Sequence, residues 1–346
     1  MRLRITPVLT ALALALPFSI AQAEEKVLNL YSARHYQTDE QLYSDFTKQT
    51  GIKINRIEAD DNALFERLKN EGRNSPADVI LMVDAARIWR AEIEGFFQPV
   101  QSKILDSRIP ANLRGKDDGK GSEWFGFSKR ARVIVYNKAQ VKPEDVATYE
   151  SLADPKNKGK VCTRSGSHPY NLALIGSMIE RNGPQATEEW AKGMVTNFAR
   201  PPRGGDTDQI KGVASGECGV AIANSYYYAR LLRSTKPEDV AMMKNVGFIW
   251  PNAKTTGTHF NIAGAGVAKN APHRENAVKF LEYLASDSAQ FYFSEGNNEW
   301  PIVANIATKN EALDSLGKYK IENISIASIA KNQIAAQRIL DRVGYK

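Results

Sequence analysis

Residues 27–57 read VLNLYSARHYQTDEQLYSDFTKQTGIKINRI, and this stretch decides the fold. Val27-Leu28-Asn29-Leu30-Tyr31 is an apolar run of the length of a buried strand. A polar turn over residues 32–37 follows, then a helix beginning at Thr38 or Asp39 with Leu42, Tyr43 and Phe46 spaced along its inner face. Gly51 stops that helix, and residues 52–57 alternate as a second strand. A strand, a helix and a strand with so little chain between them predict an α/β unit with parallel strands.

The pattern continues outward. Residues 62–71 predict a helix closed by Gly72, residues 77–83 a third strand, and an Ala- and Arg-rich helix runs to Gly95. Residues 124–137 form one long extended stretch, with a crossing between lobes placed near its start. Residues 148–155 make a capped helical turn, and 159–163, 219–224, 246–250 and 259–267 are strands. Helices are expected over 172–182, 188–197, 207–216, 276–286 and 326–343. The layout is two α/β lobes joined by at least two crossings: residues 24–126 with 259–310, and 127–258 with 311–346. Ligands of open α/β sheets sit outside the C-terminal ends of strands, so the cleft between lobes is the place to search.

The 346 residues are 25% charged and 42% hydrophobic, which excludes a disordered or collagen-like chain. The net charge of +7 comes from scattered residues, with no basic arm for nucleic acid. Residues 1–23 read as a signal peptide: Arg2 and Arg4, an apolar stretch over 9–16, then Ala21-Gln22-Ala23 as cleavage site before Glu24. The apolar stretch is too short to span a bilayer, and export to a bacterial periplasm is expected. Cys162 and Cys218 suggest one disulfide in that compartment; a two-thiol metal site or two buried free thiols are the other readings.

Three strand-end loops share tyrosines. One carries His35-Tyr36, the next Tyr170, and the third Tyr226-Tyr227-Tyr228. A single tyrosine at a sheet edge is ordinary packing, but several converging with one histidine are a donor set. Phenolate is a hard anionic oxygen ligand suited to Fe³⁺. Zinc or copper would ask for more His or Cys than the four histidines here allow, and calcium would ask for carboxylate-rich loops. Neighbouring strand residues face opposite ways, so Tyr226 and Tyr227 can share one ion only where the strand has ended, most simply at a helix start.

Tyr31-Ser32-Ala33-Arg34-His35-Tyr36, Ala77-Asp78-Val79, Arg130-Ala131-Arg132-Val133 and Asn224-Ser225-Tyr226-Tyr227 resemble the periplasmic ferric-iron-binding proteins of ABC iron importers. The resemblance covers essentially the whole mature chain and is greatest to the branch using one His and several Tyr. It implies a two-lobed periplasmic-binding-protein fold of type II, with mixed, mostly parallel sheets and hinge strands. It also implies delivery of Fe³⁺ to an inner-membrane permease with its ATPase, by a monomer that is not an enzyme. The implied ligands are His35 and Tyr36 from the N-lobe and Tyr170, Tyr226 and Tyr227 from the C-lobe. Arg130 matches a position that neutralises phenolates or grips a carbonate-like anion beside the metal. Asp84 stands nearest to a carboxylate ligand used elsewhere in that family, but it is short and offset and is not counted.

Other candidates read as structure. Tyr228 is expected to pack, His168 to be a loop residue, His259 to be structural and His273 solvated. Gly204-Gly205, ahead of a helix, reads as a capped loop before an anion site. A same-fold receptor for a small oxyanion or other organic solute is the alternative function. An enzyme is disfavoured, since no nucleophile elbow and no H-E-x-x-H is present.

Overall fold

The computed structural model describes residues 26–34, 36 and 38–346. The leader over residues 1–23, Glu24 and His35 lie outside them. The first half runs β1 (Val27–Ser32), α1 (Asp39–Thr50), β2 (Lys53–Glu58), α2 (Asp61–Glu71), β3 (Val79–Met82), α3 (Ala85–Ile93), α4 (Lys103–Arg108) and β4 (Phe125–Asn137). Then come β5 (Val161–Cys162), α5 (Pro169–Asn182), α6 (Pro184–Thr196), α7 (Asp206–Ser215), β6 (Val220–Asn224), α8 (Ser225–Leu232), α9 (Pro237–Met243), β7 (Val246–Ile249) and β8 (Phe260–Val267). The chain closes with α10 (Arg274–Leu284), α11 (Asp287–Asn297), β9 (Trp300–Pro301), α12 (Glu311–Ser315), α13 (Ile326–Lys331) and α14 (Gln333–Val343).

The opening βαβ unit forms as its periodicity predicts. β1 lies parallel to β2 and β3, and Gly51 ends α1 at φ 72° with its N–H on the Thr47 carbonyl. β3 is buried along its whole length, as a strand covered on both faces must be. Leu28, Leu30, Phe46, Phe65 and Phe280 fill one core, each side chain contributing about 1.5–3 kcal/mol by burial.

The sheet order β2-β1-β3-β8-β4-β6-β5 joins the two lobes. Parallel ladders belong to the outer strands, whereas every ladder made by β4 and β8 is antiparallel. β4 pairs with β8 through Ala131 and with β6 from Arg132, so the change of partners lies within the strand rather than near its start. At the other end of this pairing, just before β4 begins, close approach requires glycine: a Cβ on Gly266 would meet the Glu123 carbonyl at 2.3 Å. Beyond the change of partners the sheet is covered on both faces. Ile134 and Ile222 join Met178, Trp190 and Ile339 on one side, while Val135 and Ala221 join Ile210 and Val213 on the other.

Three local readings differ from the sequence expectation. The C-terminal helix is interrupted at Asn332, whose amide donates to the Ser328 carbonyl and to Gly176 and Glu180 of α5. His273 is half-buried, not solvated, with Nδ1 3.0 Å from Asp78 Oδ2. The expected strand over residues 159–163 shrinks to Val161–Cys162. The Cys162–Cys218 disulfide is formed, with Cα atoms 5.7 Å apart. Among the described residues, no helix is long and apolar enough to cross a membrane.

Candidate metal centre

Each tyrosine of the candidate set is placed by the start of a helix. Tyr36 follows β1, and its carbonyl accepts the Asp39 N–H that opens α1. Its ring lies 4.7 Å below the Arg34 guanidinium, which is fixed by Asp39 at 2.9 Å and Glu299 at 3.2 Å. Tyr170 sits in the first turn of α5, behind Pro169, whose fixed φ suits the first helical position. His168 caps that helix: Nδ1 accepts the Tyr170 N–H at 3.3 Å and the two rings are 4.4 Å apart. Burial, with Arg164 and Arg132 nearby, pulls the His168 pKa down to about 3, so the imidazole stays a neutral acceptor. The residue expected as plain loop therefore seats Tyr170.

Tyr226 and Tyr227 open α8 directly after β6, the strand-to-helix junction that sharing one ion demands. Ser225 Oγ accepts the Ala131 N–H at 3.2 Å, which fastens the junction to β4. The Tyr226 and Tyr227 rings lie 4.2 Å apart. Tyr228 turns away, against Phe248 and toward the Val246 carbonyl.

Tyr226 is the centre of the cluster. Its phenol oxygen lies 3.1 Å from that of Tyr170 and 3.3 Å from that of Tyr36. Adjacent ligand atoms of an octahedral ion with bonds of about 2.0–2.1 Å stand about 2.9 Å apart, so this spacing is near that of a coordination shell. Tyr227 lies within electrostatic range of the other three phenols. Burial is the largest cause holding Tyr36, Tyr170 and Tyr226 above the ordinary phenol range, and the neighbouring tyrosines add to it. Left alone these phenols stay protonated; a trivalent ion reverses that balance. Among the described residues no group of three or more His, Cys, Asp or Glu could hold a metal.

Arginines surround the cluster. Arg130 is 2% exposed, and none of its three guanidinium nitrogens has a hydrogen-bond partner. Its charge lies 5.7 Å from the Tyr170 ring centre, with Arg164 at 5.1 Å and Arg132 at 5.8 Å over the same ring. Arg230 stands 5.4 Å from Tyr227. Of these, only Arg130 was singled out by sequence; the alternation of Arg130 and Arg132 on one strand face was a usable signal for the second. Asp84 is buried, with one carboxylate oxygen capping α3 and the other accepting from Asn261 at 2.6 Å. The Gly204-Gly205 turn is filled by Asp208, whose carboxylate accepts the Gly205 N–H at 2.7 Å. A cavity of about 750 Å³ opens beside Tyr170, between Asp60, Asp61 and Arg87 on one wall and Ser165 and Ser167 on the other.

Two lobes bridged by antiparallel strands, with a cluster of tyrosine side chains gathered between them, define a solute receptor. The chain belongs to the family described as bacterial extracellular solute-binding protein, which matches residues 41–318. It is 49% identical over 330 residues to Iron uptake protein A1 of Synechocystis, covering 95% of this chain and 90% of that one. Among solved structures it is similar to Trichodesmium FutA in complex with iron and citrate ligands, with 53% identity, a TM-score of 0.85 and coverage of 92% and 100%. The ferric binding protein of Campylobacter jejuni matches with 38% identity, a TM-score of 0.86 and the same coverage.

Proposed function

We propose that this protein captures Fe³⁺ between its lobes with Tyr36, Tyr170, Tyr226 and Tyr227, and delivers it to an inner-membrane ABC permease driven by its ATPase. His35 is the further ligand implied by the sequence motif. The observation that carries the reading is the convergence of three phenol oxygens, 3.1 and 3.3 Å from one another around Tyr226, from segments 190 residues apart in the chain. The iron-related names of the relatives support the same cargo, and their family supports a receptor rather than an enzyme.

Charge supports it as well. Four phenolates on one Fe³⁺ leave a net charge of −1, which is costly to bury unless a cation lies alongside. Arg130 supplies that charge, and its unpartnered nitrogens suit a carbonate-like anion held bidentately beside the metal. The citrate in the Trichodesmium structure supports room for such an anion, and the cavity beside Tyr170 supports loading from a ferric chelate. Export of the chain to the periplasm by the leader at residues 1–23 completes the reading.

The test is a titration of the iron-free protein with one equivalent of Fe³⁺ as a weak chelate. Phenolate-to-iron charge transfer is expected to colour the protein orange-red, and the band should weaken strongly in Tyr227→Phe. A colourless wild-type protein overturns the proposal.

A further inference from the structure

The far face of the crossing strand β4 carries a second cavity. Successive residues of a strand face opposite ways, and residues paired across an antiparallel ladder share a face. Arg130 pairs with Asn261 on the side of the tyrosines, whereas Lys129 pairs with Ile262 and Ala131 with Phe260 on the other side. Lys129 and Phe260 border a cavity of about 800 Å³, together with Trp89, Leu113, Trp124 and Ile302. None of Tyr36, Tyr170, Tyr226, Tyr227 and Arg130 lines it.

Lys129 makes no side-chain hydrogen bond and no ion pair among the described residues, and burial alone holds its ammonium below the usual lysine range. A desolvated cation without a partner is expensive, and a carboxylate placed against it recovers that cost. The acids on the wall do not serve. Glu322 is engaged with His259, Ser177 and Arg181, and Glu92 makes no ion pair with Lys129, whose ammonium feels burial alone. Of the other cations on the wall, Arg114 is paired with Asp106 and Lys116 is exposed; Asn112, Asn323 and Ser325 add polar groups to an otherwise aromatic and aliphatic lining, and the volume lies in the range of about 300–1,000 Å³ usual for small-molecule sites.

We propose that this cavity is a second ligand site, taking a small organic carboxylate with an aromatic or branched apolar body. The carboxylate pairs with Lys129, and the body lies against Trp89, Trp124 and Phe260. Because Lys129 and Arg130 are consecutive on the crossing strand, the two sites sit back to back across one backbone. The second site stands without the first, since the two share no lining residue among the tyrosines and Arg130.

The test uses iron-free protein and follows tryptophan fluorescence, with phenylacetate as probe and phenethylamine as control. A saturable change with a midpoint below about 1 mM is expected for phenylacetate only. Lys129→Met should weaken it at least about tenfold and Lys129→Arg should restore it, while Arg130→Met leaves the midpoint unchanged. Lys129→Gln serves as the second charge-removing variant, and far-ultraviolet circular dichroism reports that each variant is folded. Absence of a saturable signal overturns the proposal, as does an equal midpoint without the lysine charge or loss of the signal in Arg130→Met.

Discussion

Arg132 and Asp206 form an ion pair at 2.6 Å in which both side chains are almost wholly buried. The same carboxylate accepts Arg164 at 3.2 Å and the Asn224 N–H at 2.7 Å, while Arg132 also donates to Asn171 at 2.9 Å. Asn171 follows Tyr170 and Asn224 precedes Tyr226 by two residues, so one acid ties the two C-lobe tyrosine segments to the crossing strand. Receptor geometry thus rests on a buried polar network as much as on the apolar cores, and such a network holds one arrangement only while every member is satisfied.

Asp206→Asn keeps the shape and leaves two guanidiniums without their charge partner. Breaking a buried pair from one side costs about 3–5 kcal/mol. Urea unfolding of the iron-free variant should show a loss of that order. A loss below about 1 kcal/mol would mean that the network is solvated and does not organise the site.

Removing the phenol at the centre of the cluster should matter far more than removing one at its back. Tyr226 stands 3.1 Å from Tyr170 and 3.3 Å from Tyr36, whereas Tyr228 reaches only the Val246 carbonyl at 3.4 Å. Outer-shell changes alone cost about 10–100-fold in metal affinity, so Tyr226→Phe should cost about 100-fold or more. Tyr228→Phe should leave affinity within about threefold, since it touches no metal-facing atom. Competition with a chelator of known strength measures both, and equal losses would displace Tyr226 from the centre.

Much of this was legible because the signals are local. The strand of residues 27–31, the Gly51 stop and the junction of Asn224 with Tyr226 are each read from a few adjacent residues. What could not be read joins distant segments. Asp206 gathers Arg132, Arg164 and Asn224, and Glu299 reaches Arg34 from 265 residues away; neither acid sits in a motif. His273 looked solvated because its partner Asp78 lies 195 residues earlier. The antiparallel ladders of β4 were likewise invisible, since register between remote strands follows from closure of the whole sheet.

The Cys162–Cys218 bridge spans 56 residues and joins the strand leading to the Tyr170 loop to the turn before β6. In the chain-entropy account a loop of this length contributes about 4 kcal/mol by restricting the unfolded chain. Cys162→Ala with Cys218→Ala should therefore lower the unfolding midpoint clearly while the ferric band persists, because neither sulfur is a ligand. Thermal scans with and without reductant check the wild type in the same way. An unchanged midpoint would show that the bridge adds nothing to stability.

Asp61 should make stability depend on pH in the direction opposite to most carboxylates. Burial is the main cause that pushes its pKa up from 3.8 to about 6, and Arg87, 3.7 Å away, only partly offsets it. Between those two values the native state holds a proton that the unfolded chain has already released. Stability contributed by this group is therefore present at low pH and lost as pH rises through about 4 to 6. Asp61→Asn removes the charge and keeps the shape. At pH 7.5 the variant should be more stable by about 1–2 kcal/mol, less than the full shift would give because the side chain retains 15% exposure. At pH 4 the advantage should vanish. Urea midpoints of both proteins at the two pH values measure it, and an advantage of the same size at both would show that Asp61 acts through packing rather than through its charge.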